Sequence, residues 1–280
     1  MHRRRFGWTG VEVPIIGQGT WKMEGDDPEQ AVAAIRAGLD AGMLHLDTAE
    51  LYGGGRVESL VARAIAGRRQ EIFLVSKVMP SHATRGGTIS ACEASLARLK
   101  TDHLDCYLLH WPGSHPLAET ISAFEQLVQD GKIRSWGLSN FDVDELEEAL
   151  EIAGPGRIAC NQVLYHLRAR DMEARVLPWC VEHEVAVVGY SPFGSGDFPA
   201  PSSRGGKVLG DVAQAHRATP HQVALAFLVR DPRVFGIPKS AHSERVLVNA
   251  TAADLRLTRD EVAALESAFP LRRGRSLPTL

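Results

Sequence analysis

The sequence predicts an α/β protein: a closed (β/α)8 barrel of the TIM type with a short N-terminal β-hairpin. Three observations carry this expectation. Eight strand-like runs are each followed by a helix-like run, and such alternation implies a parallel sheet covered by helices. No composition break divides the 280 residues, so residues 1–280 read as a single domain. Each strand-like run also ends in a polar residue. Several of these ends lie about one strand–helix unit apart, as the C-terminal rim of a barrel requires.

The elements follow in order. Residues 6–13 alternate loosely around the turn pair Thr9-Gly10 and read as a hairpin. Residues 15–21 form a first strand ending in a glycine-punctuated loop. Asp27, Pro28 and Gln30 start a helix as cap, first helical residue and third helical residue. Val32, Ile35 and Leu39 give that helix one apolar face, and Gly42 ends it. Residues 44–48 are a strand, followed by glycines and a helix through Leu60, Val61, Ala64 and Ile65. Residues 72–77 are a strand, followed by a helix carrying Ile89, Cys92, Leu96 and Leu99. Residues 104–110 are a strand, and Ile121, Phe124, Leu127 and Val128 mark its helix, closed by Gly131. Residues 133–139 are a strand, with Asp142 and Glu145 capping the helix after it. Residues 158–163 are a strand, followed by a helix near 173–184. Residues 185–190 are the most strand-like run. A long Gly/Ser/Pro loop at 193–206 comes next, and Thr219-Pro220-His221-Gln222 starts a long helix. Residues 234–239 are the last strand, and Ser243 caps the helix behind it.

An open doubly wound sheet is the competing architecture. It usually places a G-x-G-x-x-G turn after its first strand, and the stretch from Gly17 to Lys22 has no third glycine at the required place. No P-loop is present.

Composition narrows the function classes. The net charge of −3 leaves no basic footprint for nucleic acid. The clusters Arg3-Arg4-Arg5 and Arg272-Arg273-Gly274-Arg275 read as solvated charge near the termini. No apolar run approaches the roughly 18 residues of a membrane span, and Glu12 and Pro14 interrupt any h-region after the first arginines. Cys92, Cys106, Cys160 and Cys180 are widely spaced, which favours reduced thiols and a cytoplasmic location. No long apolar stripe demands an assembly, and a monomer is expected.

The polar strand ends are Trp21, Asp47, Lys77, His110, Ser139-Asn140, Gln162, Tyr190 and Lys239. One of them is readily a helix cap or a satisfied core group; a ring of them is hard to explain as structure. A lysine ending the apolar run Phe73-Leu74-Val75 is expensive unless paired with an acid. Asp47, Tyr52, Lys77 and His110 make chemical sense together. A free tyrosine has a pKa of about 10, too high for an efficient proton donor at neutral pH. A nearby ammonium stabilises the phenolate and lowers that pKa. An aspartate holds the lysine, and a histidine beside the phenol orients a carbonyl oxygen. Such a set protonates a developing alkoxide. It contains no nucleophile and no metal cage, and neither Ser139 nor Ser191 completes G-x-S-x-G. The loop at 193–206 offers backbone N–H groups to a pyrophosphate. Lys239, Ser240 and Arg245 follow strand eight at a helix start, where an anion is favoured.

These residues resemble the aldo/keto reductase family over nearly the whole chain. The matching pieces are Gly17-Gln18-Gly19-Thr20-Trp21, Asp47-Thr48-Ala49 with Tyr52, Leu74-Val75-Ser76-Lys77, and Leu108-Leu109-His110-Trp111-Pro112. They continue through Gly137-Leu138-Ser139-Asn140, Asn161-Gln162, Tyr190-Ser191-Pro192, and Ile237-Pro238-Lys239-Ser240 with Arg245 and Asn249. The resemblance implies a catalytic tetrad of Asp47, Tyr52, Lys77 and His110, with Tyr52 as proton donor. It implies Tyr190 stacked on a nicotinamide whose carboxamide is held by Ser139, Asn140 and Gln162. It implies Lys239, Ser240 and Arg245 around a ribose 2′-phosphate, hence NADPH over NADH. Gly19, Thr20, Asp47, Ser191, Phe193, Gly194, Ser195 and Asn249 complete the implied cofactor set. Trp21, Tyr52, His110 and Trp111 line the implied pocket for a small carbonyl substrate.

Two departures are specific to this chain. Val248 stands where many members carry Glu, which leaves one adenine contact open. Gly54, Gly55, Arg56 and Val57 separate Tyr52 from Glu58, where many members have Glu three residues after the tyrosine, so the loop beside Tyr52 is longer. Within the family, Ala91-Cys92-Glu93-Ala94-Ser95-Leu96, residues 161–166 and Leu177-Pro178-Trp179-Cys180 resemble bacterial methylglyoxal reductases. The short basic tail after Phe269 implies an open pocket for small aldehydes. Two other readings compete with a carbonyl reductase: a cofactor-binding regulatory module with little turnover, and a metal-dependent barrel hydrolase.

Overall fold

The computed structural model describes residues 1–271 and 277–279. The basic cluster at 272–275 lies outside the described residues. Two short strands, β1 (Arg3–Arg5) and β2 (Glu12–Pro14), pair antiparallel, with Arg3 opposite Pro14 and Arg5 opposite Glu12. The hairpin therefore sits further out than residues 6–13. Phe6 is buried against Phe73 and Phe235 at the barrel floor, so it cannot be a hairpin residue with a solvent face. Gly10, at φ 71°, ends a 3-10 turn over Gly7–Thr9.

Eight parallel strands form the barrel: β3 (Gln18–Gly19), β4 (His45–Asp47), β5 (Phe73–Val78), β6 (Leu104–Leu109), β7 (Ile133–Ser139), β8 (Ile158–Leu164), β9 (Ala186–Tyr190) and β10 (Val234–Ile237). They pair in sequence order. The seam between β10 and β3 is closed by parallel bridges, Ile16 to Gly236 and Gly19 to Lys239. The first strand is shorter than the sequence implies because much of its pairing is confined to this seam. There Gly17 N donates to Gly236 O at 2.8 Å and Gly19 N to Pro238 O at 3.1 Å.

The helices are α1 (Pro28–Asp40), α2 (Arg56–Ala64), α3 (Arg85–Leu99), α4 (Leu117–Gln129), α5 (Val143–Ala153), α6 (Val176–Glu182), α7 (Arg204–Ala215), α8 (Pro220–Leu228), α9 (Ser243–Thr251) and α10 (Arg259–Ala268). Many ends follow local chemistry. Asp27 accepts from Gln30 N at the start of α1, and the Asp142–Glu145 capping box opens α5. The apolar stripe of α1 is buried as its spacing requires.

Four further elements differ from the sequence reading. Residues 204–206 belong to α7, where Ser203 accepts from Gly206 N. The glycines that suggest a loop are there for space. A Cβ at Gly206 would lie 1.9 Å from Ala200 O, and one at Gly205 would lie 2.4 Å from the Phe269 ring. Helix α8 is short, at nine residues. Ser243 is the first residue of α9, with His242 in the cap position. Helix α10, opened by a Thr258–Glu261 capping box, was not anticipated.

Candidate active site

Every barrel strand delivers its last residues to one rim, so the site is assembled from separate elements at a common level. Asp47 ends β4, Lys77 lies near the end of β5, His110 follows β6, Ser139 ends β7, Gln162 lies on β8 and Tyr190 ends β9. Tyr52 arrives on the turn after β4. Gly53, Gly54 and Gly55 have φ of 59°, 64° and 86°, a left-handed run that side chains resist. The longer segment after Tyr52 is thus a tight turn. It leads into α2, where Glu58 is fully buried and accepts from Ser76 Oγ at 2.7 Å and Arg98 Nε at 2.6 Å.

Lys77 is the hub. It is fully buried, and its Nζ donates to Asp47 Oδ1 at 2.6 Å, to Thr48 O at 2.9 Å and to the Tyr52 hydroxyl at 3.2 Å. The other Asp47 oxygen accepts from Gln162 Nε2 at 2.7 Å. Burial opposes the Lys77 charge, but Asp47 and then Tyr52 outweigh it, so the ammonium is held above its ordinary pKa. Burial also raises the Tyr52 phenol, and the pull of Lys77 recovers only part of that rise. The sequence implied a lowered phenol pKa. The structure reverses the net direction because Tyr52 is buried among groups that include Asp47.

The His110 ring lies 5.8 Å from the Tyr52 ring, edge to face. Burial, with Lys77 nearby, pushes its imidazole down to about 2, so it is neutral at physiological pH. His110 Nδ1 is buried with no hydrogen-bond partner among the described residues. Asn140 Nδ2 donates to His110 O at 3.0 Å and to Ser139 Oγ at 3.2 Å, while Asn140 Oδ1 accepts from the Tyr190 hydroxyl at 2.9 Å. Asn140 takes φ 63°, a left-handed conformation that asparagine tolerates better than most residues.

A cavity of about 230 Å³ opens over these groups. Tyr52, His110, Asp47, Ser139, Asn140, Gln162, Tyr190, Ser191, Gly19 and Thr20 line it, with Trp21, Trp111 and Leu51 also on its walls. A larger cavity of about 750 Å³ shares Lys239 with it and is bounded by Phe193, Ser240, Arg245, Val248 and Asn249. The structure thus gathers Asp47, Tyr52, His110, Trp21 and Trp111 around one cavity, with Lys77 buried behind Asp47 and Tyr52, and Lys239, Ser240, Arg245 and Asn249 around the adjoining one. Gly194 and Ser195 line neither. They lie in a tight turn in which Gly194 N donates to Ser191 O at 2.8 Å.

The sequence reading missed several residues of the larger cavity, Asp26 and His221 among them. Asp26 is ion-paired with Lys239. Its signal in the sequence was overshadowed by Asp27, the helix cap beside it. His221 was read only as part of a helix start; it stacks on Phe198 at 4.0 Å and faces the Phe193 ring edge at 4.8 Å. Among the described residues, no cluster of three or more His, Cys, Asp or Glu side chains is placed to hold a metal ion. No helix of the described residues is long and apolar enough to cross a membrane.

Comparison with known proteins agrees with this geometry. The profile of the aldo/keto reductase family matches residues 15–269. A methylglyoxal reductase, YeaE of Escherichia coli, is 41% identical over 99% of this chain and 98% of its own. A glyoxal reductase of Bacillus subtilis is 33% identical over 92% of this chain and 90% of its own. The crystal structure of an aldo-keto reductase from Klebsiella pneumoniae in complex with NADPH superposes with a TM-score of 0.93 at 43% identity, covering 100% of this chain and 99% of that one. By sequence and by barrel topology, the chain belongs to the aldo/keto reductase family.

Proposed function

We propose that this chain is an NADPH-dependent reductase of small aldehydes and ketones, with 2-oxoaldehydes such as methylglyoxal among its substrates and Tyr52 as the proton donor. The observation that carries the reading is the Asp47–Lys77–Tyr52 chain of short contacts ending in a hydroxyl at the floor of a small cavity. The two joined cavities offer the donor set that a nicotinamide dinucleotide phosphate needs. Amides and a hydroxyl from Asn140, Gln162 and Ser139 stand beside the Tyr190 ring at the inner end. Lys239, Ser240 and Arg245 stand at the outer end. When bound, NADPH supplies the hydride for the reaction.

The side chains supply the rest. Tyr52 is protonated at neutral pH at the ordinary tyrosine pKa of about 10, and burial raises it further, so the donor carries its proton. As its proton moves to the substrate oxygen, negative charge grows on the phenol oxygen 3.2 Å from the Lys77 ammonium. That charge is stabilised without reorganisation because Lys77 is already fixed by Asp47 and Thr48 O. Neutral His110 borders the same space and can orient the carbonyl oxygen through its ring nitrogen. Trp21, Trp111 and Leu51 set the width of the opening, and the small inner volume favours short carbonyl compounds. The relatives named for methylglyoxal and glyoxal reduction support that substrate class.

We read residues 1–280 as one functional domain. The four free, buried cysteines are in keeping with a reducing compartment such as the cytoplasm. A screen of short aldehydes, longer aldehydes and ketones with NADPH and with NADH tests the proposal through kcat/KM. The expected result is a preference for short 2-oxoaldehydes and for NADPH. Absence of carbonyl-dependent NADPH oxidation across the panel would overturn it.

A further inference from the structure

We propose that Glu50 and Glu58 are positioning residues that staple the glycine turn carrying Tyr52 to β5 on either side of Lys77, holding the phenol at its distance from the ammonium. The inference rests on the proton-donor reading above and adds to it two carboxylates outside the implied set.

The turn itself creates the need for a restraint. Tyr52 is followed by Gly53, Gly54 and Gly55, all left-handed. Glycine leaves the backbone its greatest freedom, so the local chain does little to fix the phenol. Lys77, by contrast, lies on a buried six-residue strand. Proton transfer is sensitive to placement, and a shift of about 1 Å can cost about 10²-fold in rate.

Each carboxylate reaches from the turn to β5. Glu50 lies two residues before Tyr52. Its Oε1 accepts from Met79 N, just past the end of β5, at 2.7 Å and lies 2.9 Å from His82 Nδ1. Its own N–H donates to Lys77 O at 3.4 Å. Glu58 stands in the first turn of α2, just after the glycines. Its Oε1 accepts from Ser76 Oγ at 2.7 Å, and its Oε2 from Arg98 Nε at 2.6 Å. Arg98 also packs on the turn, where a Cβ at Gly55 would lie 2.5 Å from Arg98 Nε. Both carboxylate side chains are buried or nearly so, so water competes little for these charge-assisted bonds. The attachment points, Ser76 and Met79, bracket Lys77. Gly54 offers a separate handle on the turn. A Cβ there meets nothing within 4 Å, and asparagine tolerates its φ of 64°.

Two measurements on the full chain test the staple: amide hydrogen exchange over residues 50–58, and NADPH-dependent turnover of methylglyoxal. The proteins are wild type, Ser76→Ala, Glu50→Ala and Ser76→Ala/Gly54→Asn. Ser76→Ala cuts the Glu58 arm and leaves the Glu58–Arg98 pair in place. Each single variant is expected to exchange about tenfold faster, the scale of one lost hydrogen bond. Its kcat should fall about tenfold, its solvent deuterium isotope effect should rise, and its Kd for NADPH should stay within about twofold. Adding Gly54→Asn to Ser76→Ala should return about threefold of the lost kcat, the scale of reduced backbone freedom. Unchanged exchange in both single variants would overturn the staple. Faster exchange with unchanged kcat would overturn its role in positioning. Faster exchange in the variants, with no turnover even in wild type, would leave the restraint standing and sink the proton-donor reading instead.

Discussion

Lys77 has no exposed surface, yet it carries a charge. A buried ammonium is tolerated only with near-complete compensation, and here Asp47, Thr48 O and Tyr52 supply it. Removing the ammonium therefore strands Asp47. Lys77→Met is expected to lose about 3–5 kcal/mol of stability in denaturant unfolding and most of its turnover. The double variant Lys77→Met/Asp47→Leu should regain much of the stability and none of the activity; additive losses would show that the two charges are not coupled. The grouping of Asp47, Tyr52, Lys77 and His110 was legible because polar residues recur at successive strand ends with one spacing. The net direction of the Tyr52 pKa was not legible, since it depends on how deeply the turn after β4 folds in. Neither Tyr52 nor His110 titrates near neutrality. The reductive kcat is therefore expected to be flat between about pH 5 and 8, where an unperturbed histidine would titrate. A bell with a limb near 6.5, the ordinary histidine value, would contradict the assignment of a neutral His110.

At the scale of elements, the helix α7 shows what sequence patterns hide. Its glycines resemble loop punctuation, but Gly206 is required by the closeness of Ala200 O and Gly205 by the Phe269 ring. Gly210, in the same helix, has nothing within 4 Å of where a Cβ would sit. Two substitutions should therefore act in opposite directions. Gly206→Ala is expected to destabilise by about 1–3 kcal/mol through overpacking. Gly210→Ala should stabilise by about 0.5–1 kcal/mol through reduced backbone freedom. Thermal unfolding of both variants decides this, and equal effects would mean that the packing argument is wrong. By contrast, α1 and α5 were readable because their starts use local side-chain chemistry that needs no tertiary partner. Asp26 was not readable, because its partner Lys239 lies at the far end of the chain.

At the scale of the whole molecule, the barrel separates a rim that carries the proposed site from a floor that supports it. His45, fully buried among Phe6, Phe73 and Phe235, has no hydrogen-bond partner for either ring nitrogen among the described residues. Burial, then Lys77, pushes its pKa down to about 3. The unfolded chain binds a proton there near pH 6.5 and the folded chain does not, so stability is full above that value and falls as the pH drops toward 3. Between pH 7 and 5 His45 alone should remove about 2 kcal/mol, and His45→Leu should unfold with a weaker acid dependence over that range. An identical pH dependence in the variant would show that another group dominates. The central claim concerns the rim, and one comparison tests it most directly: turnover of methylglyoxal and binding of NADPH, each measured for wild type and for Tyr52→Phe. The account predicts that Tyr52→Phe lowers kcat about 10³-fold, within the range expected for loss of a general acid, and leaves the Kd for NADPH within about twofold, well under the tenfold that 1.4 kcal/mol represents. Wild-type turnover in Tyr52→Phe would contradict it.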